Sequence, residues 1–364
     1  MPLIRVRTAR LAVVALGLIL ITSHAPGRVF GQSLTRPGPE SVQGTFDHLT
    51  DWMMFDEYGW RAMSKGWYDT AEREFSSAIR IAQRSTFKDP RLLARSYSAL
   101  AWAMQNQGKF TQAEPFARWA LETREAKFGP NAEPVAKSLN QMATIHLALN
   151  RFSAAEPLLR RVIAINRGTS ATLGLEQAQS ESLLGLSLVA QRRYAEGEAE
   201  FGRAVALRVT VQGEKTPDTG DELNNLAWSQ IEQGKLAEAQ SSMGKSLTIL
   251  GQTRGEADPS VARALDGLAR IDTERHDLGA AAQKFQRLIA IYEQAGTTQR
   301  VRLKDGLNRY AKLLDQMGRA DDATRVRARL TSVDAAAPDP KANANFSAPR
   351  YPPTPVSAPS RRRS

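Results

Sequence analysis

One short pattern recurs seven times in this chain at an unvarying interval of 42 residues, and a chain so built must fold as an array of like units. The clearest marker is a turn: Gly66-Trp67-Tyr68, Gly108-Lys109-Phe110, Asn150-Arg151-Phe152, Arg192-Arg193-Tyr194, Gly234-Lys235-Leu236, His276-Asp277-Leu278 and Gly318-Arg319-Ala320. Eight residues ahead of each turn stands a large apolar residue followed by a small one, from Tyr58-Gly59 and Leu100-Ala101 through to Tyr310-Ala311. Five residues past each turn start comes another small residue: Ala71, Ala113, Ala155, Gly197, Ala239, Ala281 and Ala323. Four further on, Phe75, Leu159, Phe201, Met243 and Phe285 are bulky, with Ala117 and Arg327 breaking the series. Two helices approach closely only where a side chain is missing, so a knob beside a gap marks a pair of packed helices. Each unit is therefore expected to be helix, tight turn, helix.

The order of these features resembles the tetratricopeptide repeat, whose first helix carries a Leu-Gly or Leu-Ala pair and whose second carries the Ala and Phe positions. The usual period of that family is about 34 residues. A 42-residue version is similar to the kinesin-light-chain subgroup, and the stretch from Phe128 to Ala143 matches that pattern well, with Gly213 to Pro217 and Gly255 to Pro259 repeating its inter-repeat loop. HEAT or armadillo arrays would suit the period alone. The turn glycine and the small-residue series favour the tetratricopeptide reading. The resemblance covers roughly Asp51 to Leu330 and implies an all-α, right-handed superhelical solenoid of about seven helix-turn-helix units, taken as residues 49–331. Units six and seven are weaker, with Ala282 and Thr324 where earlier units have Glu72, Glu114, Glu156 and Glu198.

Ahead of the array, Arg5, Arg7 and Arg10 precede the apolar run Leu11 to Ile21, and a polar stretch ends at Gly31. This is the layout of a secretory signal over residues 1–31. Eleven apolar residues fall short of the about 20 that span a bilayer. Export to the periplasm or medium is the expectation, with an uncleaved inner-membrane anchor as the alternative. Residues 32–48 read as a linker. Residues 332–364, rich in Pro, Ala, Ser and Asn and ending in Arg361-Arg362-Arg363, lack the apolar side chains that would offset their ordering entropy and are expected to be a disordered basic tail.

The formal net charge of +11 suggests nucleic acid until its distribution is considered. Arg5, Arg7, Arg10 and Arg28 carry four of those charges and the last 33 residues a net three, which leaves +4 for the 300 residues between. A mixed surface of that kind does not track phosphates, and no nucleic-acid partner is expected. The chain has no cysteine, so disulfides, thiolate chemistry and Cys-built metal sites are excluded. Its four histidines share no helical face, and His146 reads as a packed helix residue. With no phosphate loop, dinucleotide fingerprint or nucleophile elbow, no catalytic residue, metal or cofactor is expected.

A ligand is better sought on the first helices. Taking the small residue of each as origin, the packed set lies at offsets −4, −1, 0 and +3, and offsets −6, −3 and +1 point roughly 140° away. In a stacked array that second stripe faces the concave groove. Trp60, Trp102 and Trp228 share one position on it, Asn140, Asn224 and Asn308 another, and Arg95, Lys137, Arg263 and Arg270 add charge, with Asn225 beside Asn224. Aromatic rings give contact area at little entropic cost, and Asn offers a donor and an acceptor to a backbone. The expected partner is a protein or peptide held in the groove by Trp60, Trp102 and Trp228 and selected by Arg95, Lys137, Asn140, Asn224, Asn225, Arg263 and Arg270. A glycan or small-molecule binder, or an accessory subunit of an enzyme on another chain, would use the same positions. The family's carboxylate clamp is not expected, since only Asn225 falls at its usual Asn place.

Overall fold

The computed structural model describes residues 45–84, 89–167 and 174–335. The expected leader 1–31, the linker up to residue 44 and the tail from residue 336 lie outside the described residues. What is described is a run of antiparallel helix pairs: α1 (Thr45–Ser64) with α2 (Tyr68–Arg84), α3 (Pro90–Asn106) with α4 (Phe110–Phe128), α5 (Glu133–Ala148) with α6 (Phe152–Arg167), and α7 (Gly174–Ala190) with α8 (Tyr194–Gln212). The series continues through α9 (Pro217–Ile231) with α10 (Leu236–Arg254), α11 (Pro259–Glu274) with α12 (Leu278–Gln294), and α13 (Arg300–Gln316) with α14 (Ala320–Ala335). Each pair packs on the next, and no strand occurs among the described residues. The molecule is an all-α helical-repeat solenoid.

Local chemistry sets the boundaries. Pro90, Pro134, Pro217 and Pro259 stand in the first turn of their helices, where a missing N–H costs nothing. Asp89 Oδ1 accepts from Arg91 N at 2.8 Å and Asp258 Oδ1 from Ser260 N at 2.8 Å, satisfying backbone donors that the helix leaves open. Within each unit the chain reverses through one residue in the left-handed region, closed by bonds such as Lys109 N to Met104 O at 2.9 Å. Gly66, Gly108, Gly234 and Gly318 fill that position, but Asn150, Arg192 and His276 hold it with φ of 59°, 63° and 62°.

The core follows from the missing side chains. Ala101, Ala143, Ala227 and Ala269 are fully enclosed and share their clusters with Ala113, Ala155, Ala239 and Ala281 of the second helices. In two units the first-helix position is Gly because a phenylalanine ring lies against it. A Cβ on Gly59 would come within 2.4 Å of Phe75, and one on Gly185 within 2.8 Å of Phe201.

A polar ladder joins unit to unit along the turns. Glu72 Oε2 accepts from Lys109 Nζ at 2.9 Å, Glu114 Oε2 from Arg151 Nη1 at 2.7 Å, Glu156 Oε2 from Arg193 Nη1 at 2.6 Å and Glu198 Oε2 from Lys235 Nζ at 2.6 Å. In unit five Gln240 accepts from Arg275 instead. In unit six Ala282 offers no acceptor, and Arg319 turns to Asp322 of its own helix at 2.7 Å.

The left-handed conformation costs a residue with a Cβ about 1–2 kcal/mol, part of which glycine's greater unfolded freedom offsets. Arg192→Gly is thus expected to raise stability by about 0.5–1 kcal/mol in urea unfolding. An unchanged or lower midpoint would contradict the strain assigned to this turn. Burial opposes the charge on Glu156, yet hydrogen bonds from Arg160, Arg193 and Gln191 prevail and hold its pKa below the ordinary 4.5. A depressed acid stabilises the fold above its unfolded pKa and loses that contribution as the pH falls through the folded value. Glu156→Gln is expected to cost about 1 kcal/mol at neutral pH, with the gap to the wild type narrowing once the pH drops below 4.5. A gap that stays constant with pH would show the ladder to be electrostatically idle.

Candidate functional site

The first helices α1, α3, α5, α7, α9, α11 and α13 stand side by side and present the stripe at offsets −6, −3 and +1. In the first three units this face stays partly open. Trp102 is partly buried, and Trp60 is held with its ring centre 5.4 Å from that of Phe75, edge to face. Arg95 grips Asp56 of the preceding unit with Nη2 at 2.6 Å and Nε at 3.2 Å. Burial raises the pKa of that aspartate, against the pull of Arg95. Lys137 is exposed and pairs with Glu133 one turn back at 3.0 Å. Asn140 is half-buried, donating from Nδ2 to Ser180 Oγ of the next unit at 3.1 Å.

In units five and six the same face is shut. Trp228 is 6 % exposed and belongs to the core with Ala227, Met243 and Leu268. Asn224, Asn225 and Arg263 are also buried, at 0 %, 5 % and 1 % exposure. The reading of these four as groove-facing is corrected. Adjacent first helices come close enough here that the side chains serve as links between units. Arg263 Nη2 donates to Asn225 Oδ1 of the preceding unit at 3.1 Å, and within unit five Arg254 Nη2 pairs with Asp221 Oδ2 at 2.8 Å. One unit on, Arg309 Nη2 reaches back to the enclosed Asp266 at 2.7 Å. Arg270 keeps partial exposure, bonded to Glu232 at 2.5 Å with its guanidinium 6.0 Å from the centre of the Trp228 ring. Neither amide atom of Asn224 has a hydrogen-bond partner among the described residues.

The stripe reading missed a group that comes from a second helix. Arg124, near the end of α4, extends between α3 and α5 and donates from Nη1 to Ser98 Oγ at 2.7 Å and to Ser138 Oγ. Desolvation pushes its pKa down to about 10. The same three positions recur between later units. The positions 42 residues on hold Asn166, Asn140 and Ser180, of which Asn140 and Ser180 are hydrogen-bonded, and those 84 residues on hold Arg208, Ser182 and Glu222, where Arg208 Nε lies 3.3 Å from Glu222 and its Nη1 2.9 Å from Asp218. The signal was in the sequence: Arg124 and Arg208 stand 84 residues apart, as do Ser138 and Glu222.

Among the described residues no helix is long and apolar enough to cross a membrane, and no three His, Cys, Asp or Glu side chains gather as a metal site would need. The contrast between open and shut stretches of the stripe separates packing from contact. Trp228→Ala is expected to cost about 3–5 kcal/mol by leaving a core cavity, and Trp102→Ala clearly less. Equal losses in chemical unfolding would mean that both rings are structural.

Comparison with known proteins agrees with this architecture. Models of the tetratricopeptide repeat match residues 107–168, 176–252 and 223–294, and a further one matches 94–119. No curated protein matches the chain. Among solved structures, the apo form of RapI superposes with a TM-score of 0.63 at 10 % identity, over 78 % of this chain and 97 % of that one. A Rap protein complexed with competence and sporulation factor gives 0.51 at 14 % identity, over 79 % and 76 %. BtubC (BKLC) from P. vanneervenii gives 0.51 at 16 % identity, over 65 % and 94 %. At such identities the likeness is one of fold. Paired helices, left-handed turns, a small-residue core and the matched repeats together make this chain a member of the tetratricopeptide-repeat family.

Proposed function

We propose that the protein is an exported, non-catalytic scaffold that holds an extended segment of a partner protein along the first-helix face of units one to three. The observation that carries the reading is that this face keeps its aromatic and amide side chains partly open there. Trp102, Lys137 and Asn140 remain accessible, whereas Trp228 and Asn224 further along are enclosed. Trp60 stands at the equivalent position of the neighbouring unit and Arg95 two turns before Trp102 on its own helix, while Arg270 keeps partial exposure further along and Asp305, Asn308 and Lys312 of unit seven are exposed again. An indole supplies broad apolar contact at little entropic cost, and a half-satisfied Asn still has capacity to bond a peptide backbone. The Rap neighbour solved with competence and sporulation factor supports a binding role for a fold of this kind. Export rests on the sequence pattern of residues 1–31.

The test is selection of binders from a displayed library of extended peptides, followed by titration of one selected peptide into variants. Trp102→Ala is expected to weaken binding by about 2 kcal/mol, roughly 30-fold, with circular dichroism confirming that the helices persist. Trp67→Ala, at an exposed turn, serves as the control and should bind as the wild type does. Equal affinity of Trp102→Ala and wild type would overturn the assignment of the groove.

A further inference from the structure

The cell formed by Arg124, Ser98 and Ser138 has a close counterpart in the same chain, and the comparison exposes what it lacks. At Arg208 the equivalent arginine faces a carboxylate, because Glu222 stands where the earlier cell has Ser138. Asp218 adds a second. Around Arg124 no carboxylate lies within ion-pair distance among the described residues, and desolvation alone accounts for its lowered pKa. Its hydrogen bonds run from Nη1 to two hydroxyls, so Nη2 and Nε remain available as donors. Each hydroxyl, having accepted from the guanidinium, still has its own proton to give. A cation drawn out of water without a counter-charge is expensive to maintain. Ser138 is fully enclosed while Ser98 keeps partial exposure on the groove side, which leaves one direction of approach.

We propose that this cell binds a single small oxyanion, a carboxylate or phosphate group, which supplies from outside the charge that Glu222 supplies to Arg208. The anion accepts from Arg124 Nη2 and Nε, in the planar fork geometry that guanidinium offers to such groups. Its source is either a free ion of the medium or a carboxylate carried by a bound segment. The site itself is built by this chain alone, so it does not depend on the groove holding a partner.

Thermal unfolding of the full chain at neutral pH and constant ionic strength tests the idea, with sodium chloride replaced in turn by sulfate, phosphate and acetate. The wild type is expected to gain about 3 °C or more in at least one of these anions. Ser138→Glu installs the carboxylate found in the sister cell. It should raise the unfolding temperature in chloride and remove the response to added anion. Arg124→Gln should also lose the response, and Arg208→Gln should keep it. A gain with sulfate and phosphate identifies a free oxyanion, and a gain with acetate alone identifies a carboxylate donor. The proposal is overturned if the wild type responds to none of the three, or if Ser138→Glu responds as the wild type does. Either result would leave the Trp102 experiment untouched.

Discussion

Everything in this array depends on the absence of side chains where first and second helices cross. Alanine or glycine on one helix opposite alanine on the other lets two backbones approach until large residues from both sides close over the gap. No unit could hide its apolar stripe alone. Each is completed by the one that follows, so cohesion is built from contacts between neighbours in sequence. With no cysteine to staple it, the chain relies on this packing throughout. At Phe75 and Phe201 the opposite position is glycine and receives the ring, while Phe285 is accommodated opposite Ala269.

Over this apolar frame runs a second layer of polar contacts with two different characters. On the turn side, glutamates and cations repeat with the period of the chain and bind adjacent units at modest individual strength. Between the first helices the contacts are individual: an Arg–Asp pair in one gap, an Asn–Ser pair in another, an Arg–Asn bond in a third. The regular layer fixes how units stack. The irregular one gives each stretch of the first-helix face its own chemistry without altering the fold.

The fold could be read from the sequence because turn, knob and gap are each local, and their 42-residue recurrence multiplies a weak signal seven times. The inner face could not be read as well. Helical arithmetic describes one cylinder, and it turned Trp228, Asn224 and Arg263 toward an open face. It had no means of showing that the next first helix lies close enough to cover them. The same limitation hid Arg124, whose long side chain leaves its own helix and works in the gap between two others. Columns taken at the repeat interval, rather than faces of single helices, hold that information, as the exchange of Ser138 for Glu222 illustrates.

The turn ladder stops before the last unit, with Ala282 where an acceptor belongs and Arg319 engaged within its own helix. The last joint is held instead by a continuous apolar core that runs from Leu250 to Val326 and by Arg309 and Arg329, which reach back to Asp266 and Glu293. A stack whose cohesion is a sum over joints can thus change the chemistry of one joint without changing its geometry.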